Sequence, residues 1–140
     1  LWTEQVFRGN GYTEFSAYRT FEDVNIGWLV TPGFDLTGST NSFINFKLAQ
    51  HHLDDDQNNT LEVFISNDFD GSNILSATWN KLSVQIPNMS NSWYAFQDSG
   101  LIDVSSYEGT IYIGFKYVGS GTNTSLDGGY FVDDILFLKK

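Results

Sequence analysis

Cysteine is absent from the 140 residues. That excludes a disulfide framework and a thiolate zinc site, so any staple must be packing, hydrogen bonding or an oxygen-bound ion. Secreted bacterial proteins can lack disulfides, so the absence assigns no compartment. Basic residues are also scarce: 7 Lys and Arg stand against 17 Asp and Glu, for a formal net charge of −10. Nucleic acid and anionic lipid both need a basic footprint, which is missing, and sulfated polyanions are disfavoured for the same reason. Neutral glycans and cations remain compatible. Only two prolines and one methionine occur. No stretch rich in Ala, Leu, Glu and Lys suggests a long helix, and no apolar run is long enough to cross a bilayer as one, so membrane insertion is not expected.

What is present is apolar and aromatic. Hydrophobic residues make up 41% and aromatic residues 16%, too much for a disordered chain and enough for either aromatic-rich strands or a stacking surface. The length suits one domain with one core, spanning residues 1–140. The chain opens directly in strand-like sequence at Leu1-Trp2, as expected of a domain excised or processed from a larger secreted protein.

The pattern is strand, turn, strand throughout. Gly27 to Val30 is an apolar run that stops at Pro32-Gly33, a dipeptide lacking one amide proton and permitting positive φ, before a short Phe34-Asp35-Leu36 segment. Asn10-Gly11 is a hairpin signal between strands at Trp2–Phe7 and Tyr12–Tyr18. Ile44, Phe46 and Leu48 alternate with Phe43, Asn45 and Lys47; Leu61, Val63 and Ile65 alternate with Glu62, Phe64 and Ser66. Thr78 to Ile86 reads as a further strand with Leu82, Val84 and Ile86 inward. Ile111, Ile113, Phe115 and Tyr117 alternate with Tyr112, Gly114 and Lys116. The tail from Tyr130 to Leu138 is an apolar strand with Asp133 and Asp134 in its middle. Eight to ten strands without a convincing helix predict an all-β, two-sheet antiparallel jelly-roll β-sandwich.

Several pieces, in order, resemble the choice-of-anchor J and cleaved-adhesin domains of Bacteroidetes secreted and surface proteins, distant relatives of MAM domains. They are Trp28 to Leu36, Leu61 to Gly71 leading to Trp79, Ile113 to Ser120, and Val132-Asp133-Asp134-Ile135. The resemblance implies a galactose-binding-like sandwich, secreted or on the cell surface, acting as a non-catalytic module for adhesion, glycan binding, protein binding or spacing. It also implies a structural Ca²⁺ near the last strand, with Asp133 as a ligand.

Asp133 falls on the face of Phe131, Ile135 and Phe137, where a carboxylate is costly unless paired or metal-bound. Ca²⁺ takes six to eight oxygens, so partners are expected from Asn10, Glu14 or Asp23. The alternative is pairing with Arg8 or Arg19, or backbone hydrogen bonds. Asp54-Asp55-Asp56-Gln57-Asn58-Asn59 has the look of half an EF-hand loop. It lacks the sixth-position glycine and has Ile65 at the bidentate position, so a solvated acidic turn is expected, and likewise at Asp68 to Gly71.

Sugar rings stack their C–H faces on aromatic side chains while polar neighbours bond the hydroxyls. Trp93 and Tyr94 sit in a loop-like segment beside Asn91, Ser92, Gln97 and Asp98. Outward Phe43, Phe64 and Tyr112, with Trp79, read as an apolar stripe on one sheet face. His51 and His52 could ligate a transition metal or act as acid and base, but with no third histidine and no cysteine they read as a polar loop feature that hydrogen-bonds a ligand. The competing reading makes these aromatics core or cover, and it is strongest for Trp28. No nucleophile elbow, phosphate loop or zinc-protease pattern occurs. The expected function is therefore a monomeric carbohydrate-binding module attached to an enzyme or adhesin. Protein adhesion or a spacer role is the alternative, and a small polysaccharide hydrolase or lyase ranks last.

Overall fold

The computed structural model describes residues 2–7 and 9–140. Among these described residues eleven strands follow in order: β1 (Trp2–Phe7), β2 (Asn10–Ser16), β3 (Asn25–Val30), β4 (Phe34–Asp35), β5 (Ser42–His51), β6 (Thr60–Ser66), β7 (Asn80–Lys81), β8 (Gln97–Asp98), β9 (Ile102–Asp103), β10 (Thr110–Gly119) and β11 (Gly129–Lys139). They form two antiparallel sheets. The first runs β1-β2-β11-β5-β8, with β9 also on β5; the second runs β3-β10-β6-β7, with β4 also on β10. The sheets pack as the expected all-β sandwich. Among the described residues no helix is long and apolar enough to cross a membrane.

The core lies where period-2 alternation places it. Ile44, Phe46, Leu48, Leu61, Val63, Ile65, Ile111, Ile113, Phe115 and Tyr117 are all buried between the sheets. Phe46 meets Phe115 edge-on across the gap at 5.2 Å, and Phe15 stacks on Tyr117 at 5.7 Å. Pro32-Gly33 does separate β3 from β4.

Two expectations need correction. Thr78 to Ile86 keeps its alternation, with Leu82, Val84 and Ile86 packed against the core, but only Asn80–Lys81 joins the ladder. Inward packing needs no hydrogen-bonded neighbour, and the chain peels away once the Leu82 amide has met the Val63 carbonyl at 2.8 Å. Second, Asp133 does not share a face with Ile135 and Phe137. The register of β11 against β5 shifts between Asp133 and Leu136, and Asp134 has φ 50°. This β-bulge inserts one residue and reverses the alternation. Phe131 and Asp133 point outward before it; Ile135 and Phe137 pack against the core after it.

The loops at one end converge on the Tyr117 hydroxyl. It donates to the Gly128 carbonyl at 2.6 Å and accepts from the Ala17 amide at 3.0 Å and the Asn59 side-chain amide at 3.1 Å. Burial pushes the Tyr117 phenol up to about 12. Tyr117→Phe leaves two buried donors and one acceptor unpaired, which costs on the order of 2–4 kcal/mol, read by urea unfolding. The raised value favours the protonated phenol in the fold. Its contribution is therefore complete below the unfolded value of about 10 and is lost as pH rises through about 12. A stability profile should fall above about pH 10, and less steeply in the phenylalanine variant.

Candidate ligand groove on the outer face of the first sheet

On the first sheet, alternation sends Asn10, Tyr12 and Glu14 of β2, Phe131 and Asp133 of β11, and Lys47, Ala49 and His51 of β5 to the outer face. Phe131 lies opposite Ala49, whose small side chain leaves room for the ring. Although Phe131 points out of the sandwich, it is only 2% exposed, because other rings cover it. Tyr12 meets it edge-on at 4.9 Å. Tyr94, Phe96 and His51 stack on it at 5.6, 6.0 and 5.0 Å.

Tyr94 and Phe96 arrive on a segment held by β5. The Tyr94 amide donates to the Gln50 carbonyl at 2.9 Å, and the Ser99 amide donates to the Phe46 carbonyl. The buried Gln50 side chain donates to Asn91 and Asn88 carbonyls at 2.7 and 3.2 Å. The acidic loop braces the same turn, since Asp56 accepts from the Met89 amide at 3.1 Å. That bond, then one from the Gln57 side chain, holds the Asp56 carboxyl below its usual range.

Together these residues form an open groove of about 570 Å³ lined by Asn10, Tyr12, Tyr94, Phe96 and Phe131. Tyr94 is 56% and Phe96 38% exposed, so rings are presented to solvent. At the rim the Asn10 amide donates to Asp133 at 2.8 Å. Trp93, 52% exposed, leaves the groove and packs on the His52 ring at 3.9 Å. Tyr94 and His52 both have left-handed backbone, at φ 63° and 56°. For side chains other than glycine this costs on the order of 1 kcal/mol each and marks backbone shaped for a purpose.

The seven residues expected at a ligand site fall into two groups on opposite faces of the sandwich. Trp93, Tyr94, His51 and His52 belong to the first sheet's outer face. Phe64, Trp79 and Tyr112 belong to the second sheet's outer face, in one aromatic cluster with Trp28 and Phe69. Phe43 pairs within the first sheet, so the expected stripe of Phe43, Phe64 and Tyr112 does not form. Trp28, expected as core or cover, also lies on this outer face, opposite Lys116. It sits over Gly114, where an added Cβ would come within 2.9 Å of its ring. Trp79 closes this cluster, its indole donating to the Ile74 carbonyl at 2.9 Å. These rings cover one another under the loop from Asn67 to Thr78.

The residues expected around Ca²⁺ are also dispersed. Asn10 reaches Asp133, Glu14 lies 3.1 Å from His51, and Asp23 accepts from Thr122 at 2.7 Å. Among the described residues no three His, Cys, Asp or Glu side chains gather as a metal cage. Arg19 lies over the Tyr18 ring at 5.0 Å; the Arg8 alternative lies outside the described residues. Asp55 closes its own turn through the Gln57 and Asn58 amides, and Asp70 does the same through Ser72 and Asn73. Both acidic stretches thus close on their own backbone as turns. Sequence reasoning missed Tyr12, Phe96 and Phe131 as partners, together with Gln50 beneath them. Nothing local in the sequence paired β2 with β11.

The fold defines a two-sheet β-sandwich with an aromatic groove on one outer face. The chain belongs to the family described as Domain of unknown function (DUF5017), whose model matches residues 36–137. That span holds His51, His52, Trp93, Tyr94, Phe96 and Phe131. No curated protein matches the chain. Its fold is similar to that of the K3 cleaved adhesin domain of Lys-gingipain from Porphyromonas gingivalis W83, with a TM-score of 0.50 and 13% identity. The likeness covers 95% of this chain and 78% of that one.

Gln50→Leu keeps the volume and removes the bonds that hold the 88–91 turn. It should cost about 1–3 kcal/mol and speed proteolysis within residues 88–94, read by thermal melting and limited digestion.

Proposed function

We propose that this domain is a non-catalytic, extracellular binding module that takes a neutral carbohydrate in the Tyr12–Tyr94–Phe96–Phe131 groove. The observation that carries the reading is the exposure of Tyr94 and Phe96 beside a hydrogen-bonding rim of Asn10 and Asp133. Pyranose C–H faces stack on such rings, and a carboxylate with a neighbouring amide bonds hydroxyl groups. The net charge of −10 disfavours sulfated or uronic chains. Kinship with choice-of-anchor J domains, a secreted or surface location and a monomeric state belong to the same reading. Calcium enters it as a structural ion at Asp133 with Asn10.

A second reading, protein adhesion, draws on the cleaved-adhesin likeness and on the loop after β2. Phe21 there is 80% exposed at φ 61°, and the loop is clamped by the Asn25 amide on Thr20 and Glu22.

Affinity electrophoresis against neutral and acidic polysaccharides, with calcium and then with EDTA, tests both. Retardation by a neutral glycan should fall at least about tenfold in Tyr94→Ala and Phe96→Ala. It should persist in Trp79→Ala, on the opposite face. Loss of retardation in EDTA would make the ion necessary to the site. No retardation on any glycan overturns the carbohydrate reading. Binding to a purified surface protein that Phe21→Ala abolishes would then establish the second.

A further inference from the structure

Beside the groove, two consecutive histidines do something that extended chain does not allow. Neighbouring residues of a strand point to opposite faces. His51 points outward from β5, and His52 should point the other way. The left-handed backbone at His52, φ 56°, turns its ring back to the same side. The two Nδ1 atoms end 2.8 Å apart.

We infer that His51 and His52 form a two-imidazole chelate for a divalent transition ion, Cu²⁺ above Ni²⁺ and Zn²⁺. Imidazole nitrogens bind at about 2.0–2.1 Å. Two of them at right angles on one ion therefore stand about 2.9 Å apart, while a tetrahedral ion spreads them to about 3.3 Å. The observed separation suits adjacent corners of a square-planar ion, the geometry of Cu²⁺ and Ni²⁺, and Cu²⁺ leads the affinity order.

The surroundings fit a held ligand. His51 is stacked nearly parallel to Tyr94, 5° between planes at 5.6 Å, and on Phe131 at 5.0 Å, which fixes its ring. Its far nitrogen, Nε2, is buried against Gly129, where an added Cβ would collide with it. The Glu14 carboxylate lies 3.1 Å from Nε2, yet off the line of an N–H bond, so that nitrogen has no hydrogen-bond partner. With Nε2 walled in by Gly129, Nδ1 is the nitrogen that His51 offers to an ion. The pair lines a pocket of about 400 Å³ with Glu14, Ser16, Tyr18 and Asp127, which leaves space for whatever takes the remaining coordination positions. No third His, Cys, Asp or Glu completes a cage among the described residues, so water or a ligand oxygen fills them.

The chelate stands independently of the carbohydrate reading. The test is calorimetric titration of the tag-free chain with CuCl₂, alongside electron paramagnetic resonance and tryptophan fluorescence. One Cu²⁺ per chain, a tetragonal spectrum with two-nitrogen hyperfine structure, and quenching of Trp93 fluorescence are expected. His52→Asn keeps a residue that tolerates left-handed backbone and should weaken binding at least about thirtyfold with its melting temperature unchanged. His51→Asn should do the same to binding, and Trp93→Phe should reduce quenching without changing stoichiometry. Binding that persists unchanged in both asparagine variants overturns the proposal. So does the absence of saturable binding to the wild-type chain, which would leave a hydrogen-bonded histidine pair only.

Discussion

One phenol near the end of β10 ties three otherwise separate chain segments together. Tyr117 reaches across the sandwich to the segments that follow β2, precede β6 and precede β11, through Ala17, Asn59 and Gly128. A second buried phenol, Tyr130, donates to the Asn59 carbonyl at 2.8 Å. Because these buried contacts share partners, none can move without orphaning another. The loop bases at that end are thereby fixed, and the histidines leaving β5 are presented from a rigid frame. Without cysteine, this network takes the place of a covalent staple.

The outer faces of the two sheets carry aromatic residues to different ends. On the second sheet, Trp28, Phe64, Phe69, Trp79 and Tyr112 pack on each other and on the space above Gly114, with Lys116 5.9 Å from the Trp28 ring. They extend the core outward under a loop. On the first sheet, Phe131 is similarly covered, but Tyr94, Phe96 and Trp93 keep open faces. Backbone strain separates the two surfaces further. His52, Tyr94 and Asp134 hold left-handed conformations around the first, which costs stability unless presentation of those side chains repays it.

Much of the fold was legible because burial follows a period of two. Every strand whose alternate residues are apolar turned those residues inward, from Ile44 to Tyr117. The failures have specific causes. Thr78 to Ile86 alternates correctly but pairs with β6 only at its start, since packing against the core and hydrogen bonding to a neighbour are separate conditions. Asp133 was assigned to the wrong neighbours because one inserted residue in β11 reverses phase, and Asp-Asp in an apolar run does not announce a bulge. Phe43 and Phe64 look equivalent as outward aromatics, yet the strand order places them in different sheets.

The sequence by itself determined the class of the protein: an acidic, cysteine-free, all-β sandwich whose inward residues can be named, with aromatic residues in excess of what that core needs. Those properties are local or additive, being set by alternation, composition and net charge. Tertiary structure alone decided which outward rings meet. Tyr12, Tyr94, Phe96 and Phe131 come from three distant stretches, and their meeting depends on β11 lying between β2 and β5. It decided as well that His51 and His52 face each other, because a single left-handed residue overrides the alternation that a strand would impose. Strand order and backbone handedness arise from the balance of the whole fold, and no short window of sequence carries them.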